Sequence, residues 1–196
     1  MELVAAIDLG GTAIKAALVD AGLNSVHTVR VPTRRTNGVV DVDQLGELVG
    51  TLSRHAAGLG RAVAGLGVVA PGIVDGELGI VRFTANLGWH DVPLRERLAE
   101  HTRLPLRIGH DVRTGGLAEF TVGAAVGVRN AMFNALVTMV SAGSPVPVLR
   151  SARMARALAT SVVVVPPFRP STARRSTSAA AARPIRSFAE ACRAVL

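Results

Sequence analysis

Ile7-Asp8-Leu9-Gly10-Gly11-Thr12 decides how the chain is read. It continues Leu3-Val4-Ala5-Ala6, an unbroken apolar run of the kind a buried strand needs. Beyond the two glycines, Ala13-Ile14-Lys15-Ala16-Ala17-Leu18-Val19-Asp20 is apolar again, so the pair reads as a hairpin. A Gly-Gly turn has no Cβ atoms to hold a ligand off, and its backbone N–H groups can approach a phosphate. Asp8 beside it is the kind of ligand that holds hydrated Mg2+. Taken alone, the pattern fits an ordinary glycine hairpin as well, because glycine-rich turns are common.

Outward from the hairpin, Ser25-Val26-His27-Thr28-Val29-Arg30-Val31 alternates and reads as a third strand, closed by Pro32 and the polar residues 33–38. A helix is expected over about 42–57, capped by Asp41 or Asp43, with Leu45, Leu48, Val49 and Leu52 on one face. Gly58 and Gly60 end it, and residues 63–70 form the next buried strand. Pro71-Gly72 breaks that strand, and residues 77–83 make a short following one. Pro93 starts a helix carried by Leu94, Leu98 and His101 to about Thr102. A strand over 104–109 ends at His110-Asp111, and a helix over about 112–121 follows, anchored by Leu117 and Phe120. Strands first, then alternating strands and helices, predict an α/β sheet with helices on its faces.

The 196 residues are 49% hydrophobic, enough for a core, but only 3% aromatic, so aliphatic packing must carry it. The net charge of +8 is unevenly placed. Residues 1–130 hold 13 basic and 13 acidic side chains, whereas residues 131–196 hold 9 arginines and the single acid Glu190. A whole-chain argument for nucleic-acid binding therefore does not reach the first domain. Within the tail over 141–196, Phe168 and Phe188 are the only aromatics available for stacking, and a solvated basic tail is the expected reading. Cys192 is the only cysteine, so neither an intrachain disulfide nor a cysteine-based zinc cluster can form. No signal-type segment or bilayer-length apolar run is present, so a cytoplasmic location without membrane partners is expected.

Four segments in order carry a family resemblance: DLGGT with Lys15, Val69-Ala70-Pro71-Gly72-Ile73-Val74-Asp75, Asn86-Leu87-Gly88-Trp89, and Gly109-His110-Asp111-Val112. The first resembles the phosphate motif of the sugar-kinase, Hsp70 and actin superfamily, and the set resembles the ROK family (repressors, open reading frames, kinases). The resemblance covers about residues 3–133. It implies a ribonuclease-H-like, actin-like ATPase lobe with a mixed sheet and flanking helices over 3–122. An incomplete start of a second lobe over 123–140 would follow, and then an irregular Arg/Ser/Ala/Pro-rich tail over 141–196. The tail's composition offers no core-forming face.

The resemblance also implies chemistry. Asp111, at the carboxyl end of a strand, would be the base that takes a proton from a hexose hydroxyl as it attacks the γ-phosphate of ATP. A helix N-cap is the plain alternative for that Asp. Asp8, Gly10, Gly11, Thr12 and Lys15 would form the ATP end, with Asp8 reaching Mg2+ through its bound water; Lys15 could equally be a solvated strand residue. Gly72, Asp75, Asn86 and His110 would face the sugar, although Asn is also a common turn residue. His110 stands where the family's kinases usually have Asn, which puts the identity of the sugar in question.

Other family parts have no counterpart in the chain. A GTG-type second phosphate loop, an E-x-G-H sugar motif and a C-x-C-G-x-x-G-C zinc cluster are all missing. The expected function is therefore that of a glucokinase-like ROK kinase present as its N-terminal lobe, truncated or frame-shifted and poorly active by itself, with sugar and ATP as partners. Intact relatives imply a homodimer, which is not expected of this chain. The alternatives are a sugar-binding ROK regulator without its DNA-binding domain, or a non-catalytic binding module with a basic tail.

Overall fold

The computed structural model describes residues 2–122, Val126, and the backbone of two later strands over 131–134 and 161–164. The expectations for the rest of 123–196 lie outside the described residues.

The hairpin forms as the sequence predicts. β1 (Leu3–Leu9) runs antiparallel to β2 (Ala13–Val19), with Asp8 opposite Lys15. β2 pairs in turn with β3 (Ser25–Pro32). On the other side of β1 lies β6 (Val63–Ala70), parallel to it, and beyond that β10 (Leu106–His110), parallel again. The five strands stand in the order β10-β6-β1-β2-β3, which is a mixed sheet. β1 is central and covered on both sides, which explains its unbroken apolar run.

The larger side chains gather on one face of this sheet. Leu3, Ala5, Ile7 and Leu9 of β1 pack there with Leu45, Leu48, Val49 and Leu52 of helix α1 (Asp43–Gly58). Leu94 and Leu98 of α2 (Leu94–Ala99) join the same core. Neither expected acid is the cap of α1, because that position falls on Val42, but Asp41 just before it accepts the backbone N–H of Asp43 at 2.9 Å. Its end is closed by Gly60 in the left-handed region (φ 66°), with Gly60 N–H bonded to Ala57 O and Arg61 N–H to Ala56 O. The opposite face is built from the smaller Ala6, Ala17, Val19 and Val69.

Two helix expectations need correction. α2 stops at Ala99 rather than near Thr102. The chain turns there, with His101 and Thr102 N–H both bonded to Leu98 O. That turn carries the His101 ring onto Gly46 of α1, a place where any Cβ would collide with it. α3 (Asp111–Val122) forms where expected, but Leu117 and Phe120 are not its anchors: they are 49% and 36% exposed. Thr114, Ala118 and Glu119 are buried instead. The reason is close approach, since Thr114 lies directly over Gly109 of β10, beside Val69, and only a small residue fits between helix and sheet.

Three further pieces complete the strands, of which only Ile80–Thr84, overlapping the strand expected over 77–83, and Ala131–Asn134 could be read in the sequence. β4 (Arg35–Thr36) and β5 (Val39–Val40) form a two-residue ladder around Asn37-Gly38. β7 (Ile73–Asp75), β8 (Ile80–Thr84) and β9 (Trp89–Val92) form a small antiparallel sheet after β6. Farther on, β11 (Ala131–Asn134) pairs antiparallel with β12 (Ser161–Val164), so one strand lies within the stretch whose composition predicts irregular chain.

Candidate functional site

Sheet register sets the first part of the site. Asp8 of β1 is level with Val69 of β6, and Val69 is level with Gly109 of β10. The carboxyl ends of three parallel neighbours therefore stop together, and the Gly10-Gly11 turn, the Pro71-Gly72 loop and His110-Asp111 leave from that edge. Open α/β sheets place ligands at such an edge.

Asp8 and Asp111 are more than a hundred residues apart in sequence, yet they interact electrostatically. Burial pushes the Asp8 carboxyl above its ordinary value of 3.8; the Lys15 ammonium pulls against this, and the Asp111 charge adds a further push upward. Lys15 Nζ lies 3.2 Å from Asp8 Oδ2, with the Lys15 side chain 60% exposed and that of Asp8 23% exposed. Lys15 thus partners Asp8 from the solvent side of the neighbouring strand.

The turn between β1 and β2 is tight. Gly10 N–H donates to Ala13 O at 3.2 Å, and a Cβ on Gly10 would lie 2.7 Å from the same oxygen. A Cβ on Gly11 would meet Asn86 O at 3.1 Å and Asn86 Cβ at 3.4 Å. The glycine turn and the Asn86 segment are therefore in contact, which joins the two ends of the site that the sequence treats separately.

His110 and Asp111 divide the start of α3 between them. The backbone N–H of Arg113 donates to His110 Nδ1 at 3.3 Å, and that of Val112 donates to Asp111 Oδ1 at 2.7 Å. The cap position accordingly falls on His110, and Asp111 is the first helical residue. His110 Nδ1 also lies 3.2 Å from Asp111 Oδ1. The two contacts need opposite states of that nitrogen: it accepts from Arg113 only when unprotonated and donates to Asp111 only when protonated. In the tautomer that accepts from Arg113, Nε2 carries the proton and is the atom free to donate outward.

Gly72 and Asp75 shape their loop rather than offering free groups. Gly72 has φ 99°, and any Cβ there would run into the carbonyl of Phe83. Asp75 Oδ1 accepts the N–H of Leu78 at 2.9 Å, and Arg82 lies 3.8 Å from Oδ2. Arg95 completes the loop by donating to Glu77 O at 2.8 Å and Gly76 O at 2.7 Å. The segment 86–89 is mostly architecture too. Leu87 and Trp89 are buried, Gly88 has φ 71°, and Trp89 Nε1–H donates to Val40 O at 2.8 Å. Of the segment's side chains, only that of Asn86 is exposed.

Sequence reasoning missed Thr33, Arg35 and Arg95, all of which hold loops of the site by bonds to backbone carbonyls. Such contacts leave no side-chain pattern to read. The residues present suit Mg2+ bound with phosphates: two carboxylates converge, one of them pushed up by burial and by the other's charge, and a cation relieves that repulsion. Among the described residues no cluster of three or more His, Cys, Asp or Glu forms a metal centre of its own, and no helix is long and apolar enough to cross a membrane.

Comparison with known proteins finds relatives of two kinds, kinases and regulators. The glucokinase of Halalkalibacterium halodurans is 31% identical over 139 residues, covering 70% of this chain and 42% of that protein. The DNA-binding transcriptional repressor Mlc of Escherichia coli is 37% identical over 78 residues, 39% of this chain and 19% of the repressor. The crystal structure of the ROK family glucokinase from Streptomyces griseus, in complex with glucose and AMPPNP, matches with a TM-score of 0.55 at 26% identity, covering 67% of this chain and 40% of that one. The chain thus spans less than half the length of these relatives. The ROK family pattern matches residues 4–145, which include all of the sheet but Leu3 and every residue of the site just described, and the chain belongs to the ROK family.

Proposed function

We propose that residues 3–122 are the N-terminal lobe of an ATP-dependent hexose kinase of the glucokinase type, with Asp111 as its general base. The observation that carries this reading is the meeting of Asp8 and Asp111 at one sheet edge beside the Gly10-Gly11 turn. In this reading the Asp111 carboxylate takes the proton from a sugar hydroxyl as that oxygen attacks the γ-phosphorus of ATP, whose bond to the bridging oxygen breaks to release ADP. The N–H groups of the glycine turn and the Lys15 ammonium receive phosphate oxygens. Asn86 and His110 Nε2–H meet sugar hydroxyls, and Gly72 and Asp75 hold the loop that faces them. Asp8, with Asp111 nearby, would hold Mg2+ through its water, and the ion supplies charge neutralisation on the phosphates.

A kinase of this design closes two lobes over ATP and sugar, so that water is excluded and the reactants are oriented. The 196 residues contain neither a GTG-type second phosphate loop nor an E-x-G-H sugar motif, and we propose that they turn over poorly by themselves. A sugar-binding regulatory role is the second reading, favoured by the similarity to the repressor Mlc. Hexose-dependent ATP consumption separates the two. Residues 1–122 joined to the second lobe of the Streptomyces griseus glucokinase should consume ATP only when a hexose is present, with a marked preference within a panel of hexoses. No ATP consumption from a folded chimera that binds sugar would favour the regulatory reading, and ATP consumption indifferent to every hexose would contradict the kinase reading.

A further inference from the structure

The carbonyls of the glycine turn are held from one side by a short segment that no motif covers. Thr33 N–H donates to Thr12 O at 3.0 Å, Thr33 Oγ1–H donates to Gly10 O at 2.6 Å, and Arg35 Nη2–H donates to Gly11 O at 2.8 Å. Three successive carbonyls of the turn are thus fixed by two residues. In a trans peptide the C=O and N–H point in opposite directions, and the described chain has no cis peptide. Fixing the carbonyls of Gly10 and Gly11 therefore turns the N–H groups of Gly11 and Thr12 away from residues 33–35.

The holding segment is itself anchored. Gln44 of α1 accepts the N–H of Arg34 at 2.8 Å and donates to Pro32 O at 2.8 Å. The Arg34 guanidinium pairs with Asp41 at 2.8 Å and with Glu47 at 2.8 Å. Residues 32–35 are thereby strapped to the start of a helix that packs on the core. Arg35 reaches farther still. Its Nη2 also donates to Asn86 O, and its Nη1 donates to Gly38 O at 2.8 Å. One planar fork spans the glycine turn, the Asn86 segment and the β4–β5 turn, a geometry that the rigid guanidinium supplies and an ammonium does not.

We infer that Thr33 and Arg35 are positioning residues that fix the carbonyls of the Gly10–Thr12 turn so that its N–H groups stand ready for an anionic phosphate oxygen, and that Arg35 also ties Asn86 to that turn. The part concerning phosphate rests on the proposed kinase reading; the ordering of the turn does not. The energetic logic is pre-organisation: a turn already set in its binding form loses little freedom when a ligand arrives.

The test uses the full chain labelled with 15N, the isosteric Thr33→Val, the exposed-site Arg35→Gln, and Thr33→Ser, which keeps the hydroxyl. Without ligand, the Gly11 and Thr12 amides should be as ordered as those of β1 in the parent and in Thr33→Ser. In Thr33→Val and Arg35→Gln their heteronuclear NOE should fall, while β1 and β6 amides keep their slow exchange. The retained protection of β1 and β6 shows that each variant is folded, and Thr33→Val carries the test if Arg35→Gln is not. Titration with Mg·ADP should then shift the Gly11 and Thr12 amides in the parent and in Thr33→Ser, with binding weakened by about tenfold or less in the other two variants. Turn amides equally ordered in all four proteins would overturn the positioning roles. A turn loosened in the variants, with no Mg·ADP shift in the parent, would leave Thr33 and Arg35 as positioning residues and sink the phosphate reading instead.

Discussion

At the scale of single residues, the site is held against the preference of its own charges. Asp8 titrates higher in the fold than when unfolded, chiefly through burial. Such a group contributes stability that is fully present below its unfolded value near 3.8 and is lost as pH rises through the folded value. Asp20, Asp43, Glu47 and Asp91 carry the opposite sign. Their carboxyls are held low by hydrogen bonds from Asn24, Arg97, Arg34 and Arg82 respectively, so what they contribute is present above their unfolded values and lost on acidification. At neutral pH, then, ionised Asp8 costs the fold something that a neutral side chain of the same shape does not. Asp8→Asn should raise the unfolding midpoint at pH 7, and the gain should vanish at pH 3, where Asp8 is protonated in both states. The lost contact to Lys15 is exposed and worth little. Thermal melts at the two pH values check this; a lower midpoint at pH 7, or an equal gain at both, would contradict it. Stability given up at a charged position is expected where the charge serves a ligand.

At the scale of elements, the small sheet of β7, β8 and β9 is fixed by a few buried groups. Trp89 is 2% exposed, and its indole N–H is satisfied by Val40 O, so it joins this sheet to the β4–β5 turn and the main core. Trp89→Ala should cost about 3–5 kcal/mol of stability, the usual range for emptying an aromatic site. Urea unfolding measures it, and a loss below about 1 kcal/mol would mean that the site collapses freely. The same elements show what was legible in the sequence. β1, β2, β3, β6, α1 and the start of α3 are readable because long apolar runs, alternation and glycine stops signal them locally. β4, β5, β7 and β9 are two to four residues long, too short for any period to register. The packing face of α3 was misread for a different reason. Burial usually follows side-chain size, but here Gly109 brings the helix so near the sheet that Thr114 and Ala118 fill the gap and Leu117 and Phe120 are left outside. In the site, Asp8, Asp111 and the glycine turn were legible because each side chain or turn bears its chemistry directly. Thr33, Arg35 and Arg95 were not, because they act on carbonyls contributed by remote segments.

At the scale of the molecule, a mixed sheet brings strand ends from three parts of the chain to one edge, and the ROK pattern over residues 4–145 includes all three. The chain holds less than half the length of its glucokinase relatives, so the chemistry proposed for this edge is that of one face of a cleft. The central claim is that Asp111 removes the proton from the attacking hydroxyl rather than merely starting α3. His110 already accepts the N–H that a capping Asp would take, so Asp111→Asn should leave the helix and the melting temperature unchanged. The most direct measurement is steady-state kinetics of Asp111→Asn in the chimera with the Streptomyces griseus second lobe, with ATP and its preferred hexose. We expect kcat to fall by ~10²–10⁴-fold, the range for loss of a general base, with KM for both substrates little changed. A folded variant whose kcat stays within about tenfold of the parent would contradict the claim, and Asp111 would then be no more than the first residue of its helix.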